Sequence, residues 1–568
     1  MGMGKTEAAL YAAYAMLVSG RARGLYFALP TQLTSTMIFA RLRPFLEKIL
    51  APESRDAAAM LLHSMAWLHA SHDEEGENVF SWFARSRRGL LAPFGTGTLD
   101  QALMSVIRVR HAAVRSFGLA GKVVVLDEIH SYDAYTGTLL DPLVKHLRDM
   151  DCTVILLSAT LTRPRLAQIT GGRAGGEAYP LVTAIPGREG GSAEELPVPD
   201  SGIISAEVTL RIGVGEGSAV SEALQRAERG EQILWIENSV REAQERYRII
   251  AAYGAGRGLG TGLLHSCFTA SDRQENEGRW TVLFGKGSDE RRLCGRILVG
   301  TQVLEQSLDL DADFLVMRIC PTDMLFQRLG RLWRHRDTVR PTGALRQAWI
   351  LAPSLTDALG SPREAFGVTG RVYDPYILAR TLEVWTGRRS VSIPGDIRPM
   401  LEETYAGRGE EPSPGMAQAR QDLERKRNSL QTLALSSQSE GRQWSDGAAA
   451  TRIMTRTSWA VLLVRGLEER RCVLADGQEV CLNRDQDRRR AVSAALFANI
   501  VHIRSRPFPV SVNDTPEMRR IFRYYLPVKQ NCEPIFLARI CPDGRLEDLC
   551  SQGRSCGRYS PRMGWEKE

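Results

Sequence analysis

The chain has 568 residues, a formal net charge of +7 and 43% hydrophobic residues, so on length it holds roughly three or four domains. This charge permits a nucleic-acid partner without requiring one. No apolar stretch approaches the ~18 residues of a membrane span, and no signal peptide opens the chain, so we expect a cytoplasmic protein without a membrane partner. Ten scattered cysteines without a C-x-x-C pair argue against a zinc site or a disulfide framework.

The first residues, Gly2-Met3-Gly4-Lys5-Thr6, match the second half of a phosphate-binding loop. In such a loop Lys5 reaches the β- and γ-phosphates, and the Thr6 hydroxyl binds Mg²⁺. The Ala-rich helix that follows, to about Val18, would point its positive N-terminus at the phosphates. A flexible Gly-rich start before an ordinary helix gives the same pattern, so this signal needs partners downstream.

The first half of the loop, and the strand that aims it, would lie before residue 1. We therefore expect a fragment or a misplaced start, with a strand missing from the middle of the first sheet. Unpaired backbone groups cost on the order of 1–3 kcal/mol each, so the chain as given is expected to be a poor ATPase.

The next strand, around Leu25–Leu29, ends at Pro30 and is followed by Thr31 and Gln32. Both are suitable phosphate donors at a strand end. A later helix begins near Thr98, a candidate N-cap, and Gln101 on its first turn also suits phosphate contacts. Each of these signals is weak in isolation.

The strongest single stretch is Val123–Leu126 followed by Asp127 and Glu128, a buried parallel strand that ends in two acids. Asp127 would bind Mg²⁺, and Glu128 would orient and deprotonate the water that attacks a γ-phosphate. A strand that merely ends in solvated acids looks the same. A second apolar strand begins at Thr153 and ends in Ser158 and Thr160. We expect these two hydroxyls to hydrogen-bond to the acidic pair and to sense loss of the γ-phosphate.

The second half of the chain repeats this architecture. Gln232–Ile236 is followed by Asn238-Ser239 at a helix start, and Arg296–Gly300 is followed by Thr301 and Gln302. The spacing over 323–334 predicts one helix, with Gln327, Arg331 and Arg334 near one face. Such a face can present guanidinium groups to a phosphate held by the other domain. Asp309 lies one turn after Gln302. For Arg328, a role in an ordinary basic helix is equally consistent.

Several motifs in this order resemble a superfamily 2 helicase, and more narrowly the CRISPR-associated helicase of type I systems. They are Gly-Lys-Thr, Pro-Thr-Gln, Asp-Glu-Ile-His, Ser-Ala-Thr, Gly-Thr-Gln and Gln-Arg-Leu-Gly-Arg-Leu-Trp-Arg. The narrower match rests on residues 127–133, 301–309 and 393–399. It implies an α/β fold with two tandem RecA-like parallel-sheet motor domains, at 1–200 and 201–355. A helical extension and linker (356–456) and a smaller C-terminal accessory domain (457–568) would follow.

The resemblance also implies ATP and Mg²⁺ as cofactors, and movement along single-stranded DNA in the 3′ to 5′ direction. An RNA-guided CRISPR surveillance complex would recruit the motor. The residues expected to bind ATP are Gly2, Gly4, Lys5, Thr6, Asp127, Asp309 and Gln327, with Glu128, Arg331 and Arg334 as catalytic groups. The residues expected to contact DNA are Thr31, Gln32, Thr98, Gln101, Asn238, Thr301 and Gln302.

The chain also departs from this family, which usually carries a histidine–aspartate metal nuclease. After His335 the only histidine is His502, so we expect that the chain does not cut DNA itself. The nuclease would lie upstream or on a separate polypeptide. Two alternatives stay open: another superfamily 2 helicase acting on RNA or in repair, and a non-catalytic split-gene fragment. Neighbouring genes would distinguish the first alternative, and the DNA just upstream would distinguish the second.

Overall fold

The structure is a computed structural model. It describes residues 4–51, 60–62, 89–107, 109, 111–129, 134–172, 174–176, 178–187, 191–198, 206–286, 294–305, 308–436, 458–468, 470–504, 516–526, 535–548 and 555–567. Gly2 and the histidine-containing stretch 63–73 lie outside these ranges. Among the described helices, none is both long and apolar enough to cross a bilayer.

The first domain is built on a parallel sheet with the strand order β2-β3-β1-β4-β5. Its strands are β1 (Leu25–Leu29), β2 (Met60–Leu62), β3 (Phe94–Thr98), β4 (Val123–Leu126) and β5 (Thr153–Leu156). The apolar runs of β1 and β4 are fully buried, as in a sheet covered on both faces. The five described strands pair continuously, so the part of the sheet that the structure describes has no gap between them, contrary to our expectation of a strand missing from its middle. β5 forms one edge and is half-buried.

Helices cover both faces of this sheet. They are α1 (Lys5–Val18), α2 (Gln32–Ile49), α3 (Leu99–Leu103), α4 (Ala112–Leu119), α5 (Ala134–Asp149) and α6 (Arg163–Thr170). Residues 171–203 are rich in Gly, Pro and Glu, a composition typical of a linker, but they contain an antiparallel pair, β6 (Leu181–Ala184) and β7 (Glu194–Pro197). The boundary predicted near residue 200 falls outside the described residues.

The second domain has a sheet with the order β10-β11-β9-β12-β13-β8-β14, parallel except for its last strand. Its strands are β8 (Ala206–Ile212), β9 (Gln232–Ile236), β10 (Gly260–Leu264), β11 (Arg296–Gly300), β12 (Phe314–Arg318), β13 (Gln347–Leu351) and β14 (Ser390–Ile393). Helices α7 (Glu216–Glu228), α8 (Val240–Gly254), α9 (Ala270–Phe284) and α10 (Thr322–Leu329) pack on it. The side chain of Ser239 accepts from the Glu242 amide and so caps α8, as its position before the helix predicts.

The helical extension shares the core of the second domain. Helices α11 (Leu355–Gly360), α12 (Pro362–Phe366), α13 (Pro375–Trp385) and α14 (Ile397–Tyr405) contribute to the same buried cluster as β9 and β12. Because β14 also joins the sheet, the predicted boundary at 355 does not mark the end of this structural unit.

One long helix, α15 (Pro414–Ser436), connects the two motor domains. Its amino-terminal half buries Met416, Ala419 and Leu423 in the core of the second domain. Its last turns pack Ala434 against the core of the first domain, beside α5. A helix as polar as this one could be a linker that crosses the motor or a helix solvated along its length. Because its two ends lie in different cores, it is a linker.

The C-terminal domain is a mixed sheet centred on its longest strand. Its strands are β15 (Trp459–Glu468), β16 (Arg471–Leu474), β17 (Glu479–Cys481), β18 (Ile500–Ile503), β19 (Phe536–Ile540), β20 (Arg545–Asp548), β21 (Ser555–Ser560) and β22 (Gly564–Glu566). Helices α16 (Arg489–Ala498) and α17 (Pro516–Tyr525) accompany it. Asp-Gly is a dipeptide that predicts a hairpin turn, and Asp476 and Gly477 do form the turn between antiparallel β16 and β17, with a φ of 90° at Gly477.

The last two strands of this domain attach it to the second motor domain. The Trp565 amide donates to the Cys267 carbonyl oxygen at 2.7 Å, and the Gln244 side chain donates to the carbonyl oxygens of Met563 and Trp565. Buried His265 lies between them. Its Nδ1 accepts from the Cys267 amide, and its Nε2 lies 3.0 Å from the Met563 carbonyl oxygen. Burial lowers the pKa of His265 to about 3, so the ring is neutral in the folded protein.

We predict that this contact weakens in acid. Above pH 6.5, the ordinary pKa of the side chain, His265 is neutral in both folded and unfolded protein, and the full stability is present. As the pH falls from 6.5 towards 3, the unfolded chain takes up the proton first, and the free energy of unfolding drops by up to about 1.4 kcal/mol per pH unit. Urea denaturation of the wild type and of His265→Gln between these two limits measures the difference. The glutamine variant should show the smaller pH slope, and equal slopes would contradict the assignment.

Candidate functional site

The start of α1 lies beside the acidic end of β4. Gly4 caps the helix with a left-handed backbone (φ 75°), which glycine adopts without strain. Lys5, the first helical residue, places its ammonium nitrogen 3.7 Å from a carboxylate oxygen of Glu128. Thr6 follows and is half-buried. The N-terminus of α1, Lys5 and the acids therefore lie together, which is the arrangement predicted from the sequence.

Asp127 and Glu128 are held by the backbone at the carboxyl end of the sheet. The Asp127 amide donates to the Ala28 carbonyl oxygen on β1, and the Glu128 amide donates to Oδ1 of Asp127 at 2.8 Å. Burial raises the pKa of Asp127 to about 6; the Glu128 charge adds to the rise and the Lys5 charge opposes it. Glu128 has a φ of 54°, an uncommon backbone conformation for a residue with a side chain.

The segment after β5 runs next to this pair. The Ile129 amide donates to the Leu157 carbonyl oxygen, and the Leu157 amide donates to the Leu126 carbonyl oxygen. The Ser158 hydroxyl accepts from the Thr160 amide at 3.3 Å. The buried Thr160 hydroxyl has no hydrogen-bond partner among the described residues, so its predicted bond to the acidic pair is absent there. The backbone amide of Thr160 instead makes the local contact with the Ser158 hydroxyl.

The same segment contacts the second motor domain. The Tyr179 hydroxyl donates to the Ala159 carbonyl oxygen at 2.6 Å, and its ring packs against the core of the second domain. Arg398 donates to the Gly176 carbonyl oxygen, and the Arg163 amide donates to Glu402. The motif at 393–399, which was notable in the sequence but had no assigned role, thus leads into a contact between the motor domains.

The arginine helix is shorter than we predicted. α10 ends at Leu329, and Arg331 and Arg334 follow it in a loop, so the argument from helical spacing was wrong. The reason is tertiary: the Ala312 amide donates to the Arg331 carbonyl oxygen, and the Trp333 amide donates to the Ala312 carbonyl oxygen. This bridge pulls the chain out of the helix after Gly330.

The loop still brings the predicted side chains together. Arg331 is buried and donates to the carbonyl oxygens of Leu308 and Glu305. Arg334 lies 2.7 Å from a carboxylate oxygen of Asp309. Burial, followed by the charge of Arg334, lowers the pKa of Arg331, whereas Asp309 and Glu128 act in the opposite direction. Because the charge of Glu128 opposes the lowering of the Arg331 pKa, the two residues lie near one another, and we call the boundary between their domains at this point the cleft.

Arg328 has a different environment. It is fully buried and donates to Glu305 at 2.6 Å, to the Asn238 side-chain oxygen at 2.8 Å and to the Arg318 carbonyl oxygen. Burial raises the pKa of Glu305 and the charge of Arg328 opposes the rise, so this pair needs both members. Gln327, on the same helix, is buried as well.

Residues predicted to contact DNA follow the carboxyl ends of strands in both domains, but several are engaged internally. The side-chain amide of Asn238 donates to the Ile319 carbonyl oxygen and to the Thr369 hydroxyl. The side-chain amide of Gln302 donates to the Asn238 carbonyl oxygen and to the Tyr373 hydroxyl. Thr301 is only 3% exposed. The sequence does not reveal that the side chains of Asn238 and Gln302 are used in hydrogen bonds near buried Arg328.

The first domain leaves more of its candidates near the surface. Thr31 caps α2 by accepting from the Thr34 amide, and it is half-buried. Gln101 on α3 is half-buried too, whereas Thr98 is buried and forms no side-chain cap, contrary to our expectation. Gln32 begins α2, and its side chain lies outside the described part of the chain.

Two tandem sheets of mainly parallel strands, the first with Lys5, Asp127 and Glu128 at its carboxyl edge and the second followed by arginines, are typical of superfamily 2 helicases. A family model for the C-terminal part of the CRISPR-associated nuclease/helicase Cas3 matches residues 229–337. The chain is related in sequence and fold to the Cas3 proteins, which confirms the resemblance found in its motifs.

A CRISPR-associated endonuclease/helicase Cas3 from Thermus thermophilus is 36% identical over 472 residues, covering 73% of this chain and 50% of the relative. The chain thus spans about half the length of this curated relative. The crystal structure of T. fusca Cas3-ATP superposes with a TM-score of 0.83 at 28% identity, covering 100% of this chain and 67% of that chain. A pre-nicking CRISPR RNA-guided surveillance complex contains a chain that matches with a TM-score of 0.72 at 25% identity, with coverages of 100% and 67%. The predicted fold, tandem RecA-like domains with a C-terminal domain, is confirmed.

The burial of Arg328 predicts a structural role. Arg328→Ala should lower the free energy of unfolding by about 3–5 kcal/mol, because it leaves Glu305 as an uncompensated buried charge. The double variant Arg328→Met with Glu305→Gln removes both charges and should recover part of that loss. Urea denaturation of the three proteins measures this. Unchanged stability in Arg328→Ala would contradict the assignment.

Proposed function

We propose that this chain is an ATP-driven motor that moves along single-stranded DNA. The proposal rests on three observations: Lys5 pairs with Glu128 in the first domain, Arg334 pairs with Asp309 in the second, and the charge of Glu128 acts on the pKa of Arg331. Hydrolysis at such a boundary can move one domain relative to the other, and a strand held by both domains moves with them.

Each group in the cleft has a chemical task. The free amides at the start of α1 and the Lys5 ammonium bind the β- and γ-phosphates. Glu128 orients the attacking water and accepts its proton. The ion pair with Lys5, at 3.7 Å, keeps the Glu128 carboxylate close to the phosphate. Arg331 and Arg334 stabilise charge on the transferred phosphoryl group once the cleft closes. Asp309 holds Arg334 in place until then.

Thr6 and Asp127 fit the expected Mg²⁺. Asp127 is buried beside Glu128, and burial, followed by the charge of Glu128, raises its pKa, so its ionised form would gain from a nearby cation. A divalent cation would supply that charge and would neutralise the phosphate oxygens when bound. The hydroxyl of Thr6 and the carboxylate of Asp127 are both oxygen donors of the kind that Mg²⁺ prefers.

Single-stranded DNA would lie across the carboxyl ends of the strands. Thr31, Gln32 and Gln101 are the predicted contacts in the first domain. In the second domain, Asn238, Thr301 and Gln302 would act indirectly, since they fix the backbone at the ends of β9 and β11. Backbone amides at these ends can bind phosphates without regard to sequence, which suits a motor.

We propose the setting from the relatives. The matched proteins are named nuclease/helicases, and one matched chain belongs to an RNA-guided surveillance complex. This motor would act in type I CRISPR interference, recruited by such a complex, inside the cell. Among the described residues, no group of three or more histidine, cysteine or acidic side chains could hold a metal ion. Cutting is therefore assigned to a histidine–aspartate nuclease domain, on a partner or on another part of the protein.

The direct test of this function is Glu128→Gln. It should keep ATP affinity within about twofold and lower DNA-stimulated hydrolysis by on the order of 10²–10⁴-fold, because the base is lost while phosphate binding remains. Glu7→Gln on the exposed face of α1 is the matched control and should hydrolyse at the wild-type rate. Normal turnover by Glu128→Gln would rule out this assignment.

Arg334→Ala should lower kcat by about 10²-fold and change KM for ATP little, since its charge acts on the transition state. Exposed Arg336, two residues along, provides the control: Arg336→Ala should behave like the wild type. If Arg334→Ala raised KM and lowered kcat by the same factor, the residue would be a binding group instead.

A further inference from the structure

A buried charge cluster lies directly behind the loop that carries Arg331 and Arg334. It consists of Asp311, Asp313 and Arg340, whose carboxylates are fully buried and whose guanidinium is 10% exposed. The Arg340 guanidinium donates to both carboxylate oxygens of Asp311, at 2.8 and 2.9 Å, and to Asp313. The Lys5–Glu128 and Asp309–Arg334 ion pairs, on which the proposed function rests, do not involve Asp311, Asp313 or Arg340.

The cluster holds the backbone of the arginine loop. Oδ1 of Asp311 accepts from the Arg334 amide at 2.8 Å, and its Oδ2 accepts from the Thr338 hydroxyl at 2.7 Å. Arg340 also donates to the His335 carbonyl oxygen. Asp313 anchors the whole arrangement to the sheet, because its second oxygen accepts from the Gln232 amide at the start of β9.

A strained residue separates the two arginines and depends on the same cluster. Trp333 has a φ of 52°, which is uncommon for a bulky side chain and persists only where the surroundings enforce it. Its indole donates to the Asp313 carbonyl oxygen at 2.9 Å, and the Arg340 guanidinium stacks on its ring at 5.0 Å. The left-handed backbone at Trp333 lies between Arg331, which binds the carbonyl oxygens of Leu308 and Glu305, and Arg334, which pairs with Asp309.

We propose that Asp311 and Arg340 are positioning residues that hold Arg331 and Arg334 at the angle needed for phosphoryl transfer. This inference rests on the proposed function and deepens it. The two residues act through the backbone of residues 331–335 and touch no substrate. Misplacement of a catalytic group by about 1 Å costs up to about 10²-fold in rate, so loosening this loop should show in kcat.

The test compares two matched arginines of the same domain. Arg340→Lys keeps the charge but loses the forked contact and the stacking on Trp333. Arg226 is also buried, is paired with Glu222 and Glu231, and stacks on Phe314 at 4.0 Å. Arg226 lies at the amino-terminal edge of the same sheet. Among the described residues its contacts are to Glu222, Glu231, Gln347 and Phe314 and not to residues 331–335, so Arg226→Lys makes the same chemical change without removing a contact to the arginine loop.

We expect both variants to melt at similarly lowered temperatures. Only Arg340→Lys should lose about tenfold in kcat for ATP, with KM within about twofold of the wild type. Hydrogen exchange in peptides covering 330–336 should rise in that variant alone. If Arg340→Lys does not fold, Thr338→Val removes a single bond to Asp311, and its kcat should fall without a large change in melting temperature.

Three results are informative against the idea. A wild-type kcat in Arg340→Lys, or in a folded Thr338→Val when Arg340→Lys does not fold, overturns the positioning role. An equal loss of kcat in Arg226→Lys shows that the effect is one of general stability, which overturns it as well. Absence of any hydrolysis by the unaltered chain overturns the proposed function itself, and the inference falls with it.

Discussion

The arrangement of charged groups in the first domain depends on the free-energy cost of burying the Asp127 carboxylate at the end of β4. A carboxylate in that position is favourable only with positive charge and hydrogen-bond donors close by. The chain supplies them in part, through the Glu128 amide and through Lys5 at the start of α1. Because burial still raises the pKa of Asp127, we propose this point of the sheet as the site for a cation and a phosphate chain.

The second domain solves a related problem with arginine. Among the carboxylates that it buries, Glu305 is paired with Arg328, and Asp311 and Asp313 share Arg340. Each of these arginines also binds main-chain carbonyl oxygens, so the ion pairs fix backbone segments rather than free side chains. If Arg331 and Arg334 act on a phosphoryl group as we propose, rigid backbone here helps, because a displacement of about 1 Å in a catalytic group can cost up to about 10²-fold in rate.

The two motor domains are joined at several points besides their shared cleft. Tyr179 and Arg398 connect the segment after β5 to the second domain, and α15 has its two ends in different cores. The C-terminal sheet is attached to the second domain alone among these contacts, through the strands at the end of the chain. A change in the cleft can therefore be passed to the C-terminal sheet through the second domain.

Local chemistry made part of this predictable. An apolar run that ends in acids predicts β4, Ser239 predicts the start of α8, and Asp476-Gly477 predicts a hairpin turn; the structure contains all three. Helical spacing failed at Arg331 because the bridge between Ala312 and Leu332 is a tertiary contact, although Gly330 marks a possible helix end. Asn238 and Gln302 have polar side chains at strand ends, and only the structure shows that buried Arg328 and Tyr373 engage them. The roles of the site residues themselves remain predictions.

The central claim is that nucleotide binding draws the two motor domains together. The most direct measurement is the distance between fluorescent probes placed by unnatural amino acids at exposed Ser19 in the first domain and Ser221 in the second. The account predicts that a non-hydrolysable ATP analogue with single-stranded DNA changes this distance in the wild type but not in Lys5→Ala. A distance that stays the same in the wild type at saturating analogue would contradict it.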